Sequence, residues 1–93
     1  MHIEVDEEML QGVYNRESKP HAIAAIIRDG NIIWPDDSAN EYSLHENQIF
    51  IVYEDAPFHA DIELNDRQLK LTWSDGDIWT REVSKEEVRI LSL

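Results

Sequence analysis

Two short acidic stretches, each following a tryptophan, hold the residues best placed to do chemistry: Asp36-Asp37 after Trp34, and Asp75 and Asp77 after Trp73. Paired carboxylates in a turn invite a calcium reading. A hard cation wants six or more oxygens, usually from a loop of about 12 residues with alternating acids. Neither stretch supplies that alone, although two turns meeting in space could; both are read as solvated turn acids, and no metal or cofactor is expected. His2, His21, His45 and His59 lack the short spacings of a zinc site. None of the serines sits in a nucleophile-elbow context, and there is no Gly-rich phosphate loop. Catalysis is not expected.

The other candidates are aromatic and basic. Trp73 follows the parity of Leu69 and Leu71 and belongs in a core. Trp79 and Arg81 share a face opposite to Ile78 and Thr80. Trp34, Trp73 and Trp79 read first as core residues; where one projects as a binding anchor it is Trp79, with a tyrosine as the alternative, and Arg81 stacks on an indole or pairs with a carboxylate. The expected binding set is Asp36, Asp37, Asp75, Asp77, Trp79 and Arg81.

Charge narrows the partner. Eight Lys and Arg stand against twenty Asp and Glu, a net −12. A nucleic-acid binder needs a basic footprint to displace counterions, and the basic residues here are scattered. Anionic membrane surfaces are disfavoured for the same reason. An acidic surface favours a protein partner with a basic surface, chiefly by speeding encounter. There is no Cys, which fits a reducing compartment. The acidic opening is unlike a signal peptide and no apolar run is long enough to span a bilayer, so a cytoplasmic location is expected.

The elements that must position these residues read as β. Asp6–Gly12 forms one short helical turn, capped by Asp6 and stopped by Gly12. Phe58, Ala60, Ile62 and Leu64 then alternate with His59, Asp61 and Glu63, and Leu69, Leu71 and Trp73 with Lys70 and Thr72. These are two adjacent antiparallel strands around the turn 65–68. Asp75-Gly76 suits a two-residue turn leading to a strand over Ile78–Val83. Ala22–Arg28 and Asn31–Trp34 flank Asp29-Gly30, and Tyr42–Leu44 precedes Gln48–Tyr53. Residues 84–93 combine a capping-box sequence with a strand-like end and stay ambiguous between helix and strand. The 93 residues therefore make one domain, all-β, a small mainly antiparallel meander of about seven or eight short strands forming a compact barrel or sandwich. Ile32–Ser38 and Leu71–Asp77 echo each other, through duplication or through convergent hairpin chemistry.

The stretch Leu71-Thr72-Trp73-Ser74-Asp75-Gly76-Asp77-Ile78-Trp79-Thr80-Arg81 is the most distinctive. With Leu10-Gln11-Gly12-Val13-Tyr14 and Ile32-Ile33-Trp34-Pro35-Asp36, it resembles small β domains of unicellular eukaryotes that end in Leu-x-Trp-Ser-Asp-Gly-Asp-Val-Trp-x-Arg. Ile78 replaces the usual Val, and Asp37-Ser38 stands for a more usual Asp-Gly-Ser. Those domains occur in tandem or attached to other modules, so the resemblance implies interaction or scaffold use and carries no catalytic residues. The Gly12-x-Tyr14 opening is also similar to that of lipocalin-like barrels, in which an Arg closes over the start, a part open to Arg81. With 93 residues the interior is expected to be filled. The expected function is a non-enzymatic protein-interaction or scaffold module. The alternatives are an acidic inhibitor or nucleic-acid mimic for a basic groove, and a small-ligand-binding mini-barrel.

Overall fold

The computed structural model describes residues 7–83. The helical turn is α1 (Glu7–Leu10). It is followed by β1 (Gly12–Arg16), β2 (Lys19–Arg28), β3 (Asn31–Ile33), β4 (Ala39–Glu41), β5 (Ser43–His45), β6 (Gln48–Tyr53), β7 (Ala56–Asn65), β8 (Gln68–Trp73) and β9 (Ile78–Glu82). The nine described strands form one antiparallel sheet in the order β4-β3-β2-β1-β9-β8-β7-β6-β5. Its two edge strands are consecutive in the chain, separated only by Tyr42, so β4 and β5 act as one bent strand that leaves β3 and joins β6. The sheet thereby curls into a nearly closed barrel. Closure is what so short a sheet needs to protect its unpaired edges. Residues 84–93 lie outside the described part.

The expected central hairpin is present. Leu64 pairs with Leu69 and Ile62 with Leu71. Ala60, Ile62, Leu69, Leu71 and Trp73 are buried, Phe58 and Leu64 pack against them from partly buried positions, and His59, Asp61 and Glu63 face out. Period-two alternation survives because one face is dry and the other wet. α1 lays Met9 and Leu10 over the lower end of the core, where the buried Tyr14 hydroxyl donates to the Leu10 carbonyl at 2.7 Å.

Two four-stranded meanders build the barrel, and their turns correspond. The two-residue connections Glu17-Ser18 and Asp29-Gly30 in the first match Glu54-Asp55 and Asp66-Arg67 in the second. The third connection is the acidic turn, and its hydrogen bonds repeat. Trp34 N–H donates to Ser38 O and Asp37 N–H to Trp34 O, at 2.8 and 2.9 Å; Trp73 N–H donates to Asp77 O and Gly76 N–H to Trp73 O, at 2.8 and 2.9 Å. Asp37 (φ 70°) and Gly76 (φ 93°) take the same left-handed position. In each turn the acid two residues after Trp accepts from the backbone two residues further on: Asp36 from Ser38 at 2.9 Å, Asp75 from Asp77 at 3.0 Å. The sequence echo is a structural one.

These turns are not the two-residue connection expected at Asp75-Gly76. A two-residue turn would pair Thr72 with Trp79, whereas Thr72 pairs with Ile78 and Leu71 with Trp79. One extra residue in the left-handed position shifts the register by one and flips every side chain of β9.

Candidate functional site

Antiparallel order sends the acidic turns of both meanders to one end of the barrel, together with Glu17-Ser18 and Glu54-Asp55. All four connections at that end carry carboxylates. Inside their ring lies an open cavity of about 470 Å³, lined by Trp34, Pro35, Asp36, Trp73, Asp75 and Asp77 from the two Trp-led turns and by Arg16, Ile51, Tyr53, Phe58 and Trp79 from the neighbouring strands. The expectation of a filled interior holds only at the α1 end, where Tyr14, Ile27, Ile32, Ile49 and Leu71 are fully buried.

The cavity is walled by rings. Trp73 and Trp79 have centroids 4.8 Å apart, Trp34 and Trp79 5.7 Å, and Trp34 and Tyr53 5.2 Å. Their planes meet at 59°, 81° and 56°. Phe58 extends the wall beyond Tyr53, with centroids 6.5 Å apart at 64°. Steep angles join edges to faces and build a cage, where a parallel stack would hide the faces.

Polar groups fix these rings. Trp34 Nε1–H donates to Asn40 Oδ1 at 2.6 Å, and Trp79 Nε1–H to Asp77 Oδ2 at 3.0 Å. The same Asp77 oxygen receives Arg16 Nη1 in an ion pair, and Asp77 Oδ1 accepts Ile78 N–H at 3.1 Å. The Trp73 Nε1–H is buried with no protein acceptor among the described residues. At the rim Asp36 is exposed, and its carboxyl is held below the usual carboxylate range, first by the Ser38 hydroxyl and then by the Ser38 backbone N–H. It stays ionised.

The six expected residues divide accordingly. Asp36, Asp75, Asp77 and Trp79 line the cavity, and the exposed Asp37 lies in the turn beside Asp36. Trp79 is 3% exposed, which corrects its reading as a projecting anchor: the register shift turns it inward to the cavity floor. Asp77 is no solvated turn acid, because Arg16 and Trp79 hold it. Arg81 belongs to the opposite end of the barrel. It packs over Gly12 and its guanidinium donates to the Met9 carbonyl, as the barrel-closing reading of Arg81 anticipated, and it does not join the acidic turns. The sequence reading missed Arg16, Tyr53 and Phe58 as site residues. Arg16 and Tyr53 hold equivalent places, each the last strand residue before the first two-residue turn of its meander. The Trp-led echo, offset by 39 residues, sets Arg16 against Asp55, so the match of Arg16 with Tyr53 appears only in the strand pairing.

Among the described residues no three His, Asp or Glu side chains come together as a metal site, and no helix is long and apolar enough to cross a membrane. Fold and site together define a small antiparallel β barrel with an aromatic, acid-rimmed cavity at one end. No protein-family model, curated protein or solved structure matches the chain.

Proposed function

We propose that the protein is a non-enzymatic interaction module that receives a basic protein surface at the acidic end of the barrel. The observation that carries this reading is the convergence of the two Trp-led turns on one cavity, with carboxylates on all four surrounding connections. Fixed negative charge around an apolar concavity speeds encounter with a cationic partner and gives an inserted side chain somewhere to anchor. The interaction use implied by the resemblance of Leu71–Arg81 to small eukaryotic β domains agrees with it. The size of the cavity favours a second reading, a small-ligand site, since about 470 Å³ lies within the range of ordinary ligand pockets.

The test neutralises Asp36, Asp37 and Asp75 together to Asn and leaves Asp77 intact. Asn suits the same turn conformations, so the unfolding midpoint stays near that of the wild type. Partners retained from an extract of the source cells should associate more slowly with the variant and lose part of their salt dependence. Unchanged association rates in the triple variant would refute the electrostatic reading.

A further inference from the structure

We propose that the cavity recognises a trimethylated lysine side chain carried by the basic partner. This rests on the interaction reading and names the group that the site would take. Cations bind over aromatic faces when they come within about 6 Å of the ring centroids, and more strongly where water is excluded. Trp34, Trp73, Trp79, Tyr53 and Phe58 supply such faces around one cavity, and Asp36 and Asp75 add negative charge at its rim.

The hydrogen bonding of the carboxylates separates a methylated ammonium from a plain one. Asp36 Oδ1 already accepts from the Ser38 backbone and hydroxyl, Asp75 Oδ1 from the Asp77 backbone, and both oxygens of Asp77 are occupied. Their charge remains, while part of their accepting capacity, Oδ1 of Asp36 and of Asp75 and both oxygens of Asp77, is used inside the fold. An ordinary lysine head carries three N–H donors and strong hydration that such a site replaces poorly. A trimethylammonium head donates no hydrogen bond. It presents a positive, methyl-covered surface that needs only charge and apolar contact, which is what rings beneath a rim of internally bonded carboxylates offer. Two sides of the cavity differ. Arg16 brings a positive charge to the Asp77 side, whereas Tyr53 and Phe58 offer rings on the other, so the head enters against Tyr53, Phe58 and Trp34.

The experiment titrates the full chain by intrinsic tryptophan fluorescence, with three of its indoles in the wall. The probes are tetramethylammonium chloride, ammonium chloride, the neutral branched analogue neopentyl alcohol, and a basic dodecapeptide with one central lysine either trimethylated or unmodified. Tetramethylammonium should give a saturable change that ammonium and neopentyl alcohol do not. The trimethylated peptide should bind about tenfold more tightly than its unmodified form and more tightly than tetramethylammonium. Tyr53→Ala, at a partly exposed rim position, keeps the fold and should remove most of that preference; Tyr53→Phe should retain it. Equal affinity for the two peptides would overturn the inference and leave the charge-based interaction reading standing. Equal binding of neopentyl alcohol and tetramethylammonium would overturn it in favour of an apolar ligand site. Tetramethylammonium binding without added affinity from the trimethylated peptide would overturn lysine as the source. A failure of the interaction reading itself shows separately, in unchanged partner association by the triple Asn variant.

Discussion

Gly12 sits where the barrel is closed, and replacing it by Ala tests the closure directly. Its φ is +142°, and a Cβ there would lie 2.5 Å from Arg81 Cδ and 2.9 Å from Nε. Two costs follow. An L-residue held at that φ is strained by about 1–3 kcal/mol. Arg81 must also move, and these atoms lie in the middle of its side chain, so its guanidinium leaves the Met9 carbonyl. Losing that charged hydrogen bond costs about 1.5–3 kcal/mol. Gly12→Ala should therefore destabilise by about 2.5–6 kcal/mol, a large share of what a small domain has. In an Arg81→Ala background the close contact is gone and only the backbone strain remains, so the same substitution should cost about 1–3 kcal/mol. The assay is urea unfolding of the wild type, both single variants and the double variant, followed by tryptophan fluorescence, with the coupling energy read from the cycle. A Gly12→Ala variant within about 0.5 kcal/mol of wild type would refute the strained-closure argument. Equal costs in both backgrounds would refute the part assigned to Arg81. Because Arg81 lies at the far end of the barrel, Arg81→Ala should leave tetramethylammonium affinity unchanged in the folded protein.

Trp73→Ala should cost about 3–5 kcal/mol, since the residue is 6% exposed and its ring packs on Trp79; a near-native urea midpoint would count against its place in the wall. Burial first, and the nearby Glu7 carboxylate second, raise the Tyr42 hydroxyl above its ordinary value. A folded value above the unfolded one gives stability that is complete below about pH 10 and is lost as pH rises through the folded value. Tyr42→Phe should therefore flatten the loss of stability as pH rises above about 10, and equal slopes of the urea midpoint against pH would reject that assignment.

Much of the fold is written as alternation. Phe58–Leu64 and Leu69–Trp73 announce a hairpin because one face of each must be dry, and Asp29-Gly30 announces another because both residues have positive φ, 51° and 81°. β4 was not legible. Ala39-Asn40-Glu41 has three residues and no apolar rhythm, and it is a strand only because β3 offers it an edge. The opening Lys19-Pro20-His21 of β2 is exposed throughout, and its strand character comes from the hairpin with β1. The site was half legible. Composition marked the acids and indoles, and the echo marked the two turns, but the direction of Trp79 depended on one residue of loop register. Asp-Gly chemistry permits both registers. The core decides between them, because only the longer connection sets the Trp79 indole beside Leu71 and Trp73 in place of Ile78.

That extra residue ties the fold to the proposed site. In each acidic turn it places Trp at the end of the incoming strand and an internally bonded Asp two residues later. Antiparallel meandering brings the two copies to the same rim. They then diverge at their last position: Ser38 in the first, Asp77 in the second. Asp77 collects Arg16 and the Trp79 indole and closes its side of the cavity with an ion pair. Across the cavity, Asn40 takes the Trp34 indole, and the Arg16-equivalent place is Tyr53. A fully symmetric pair of turns would present either two ion-paired sides or two aromatic ones. The first would set two guanidinium groups against an entering cation, and the second would leave only the rim acids to orient it. One side of each kind leaves an aromatic opening facing a fixed dipole, with Asp36 and Asp75 above it. Replacing Arg16 by Met removes the positive end of that dipole while keeping an apolar stem. The net negative charge of the lining rises, so tetramethylammonium should bind the Arg16→Met variant at least as tightly as the wild type. Weaker binding by a folded Arg16→Met variant would show that Arg16, rather than the ring wall, defines the entrance.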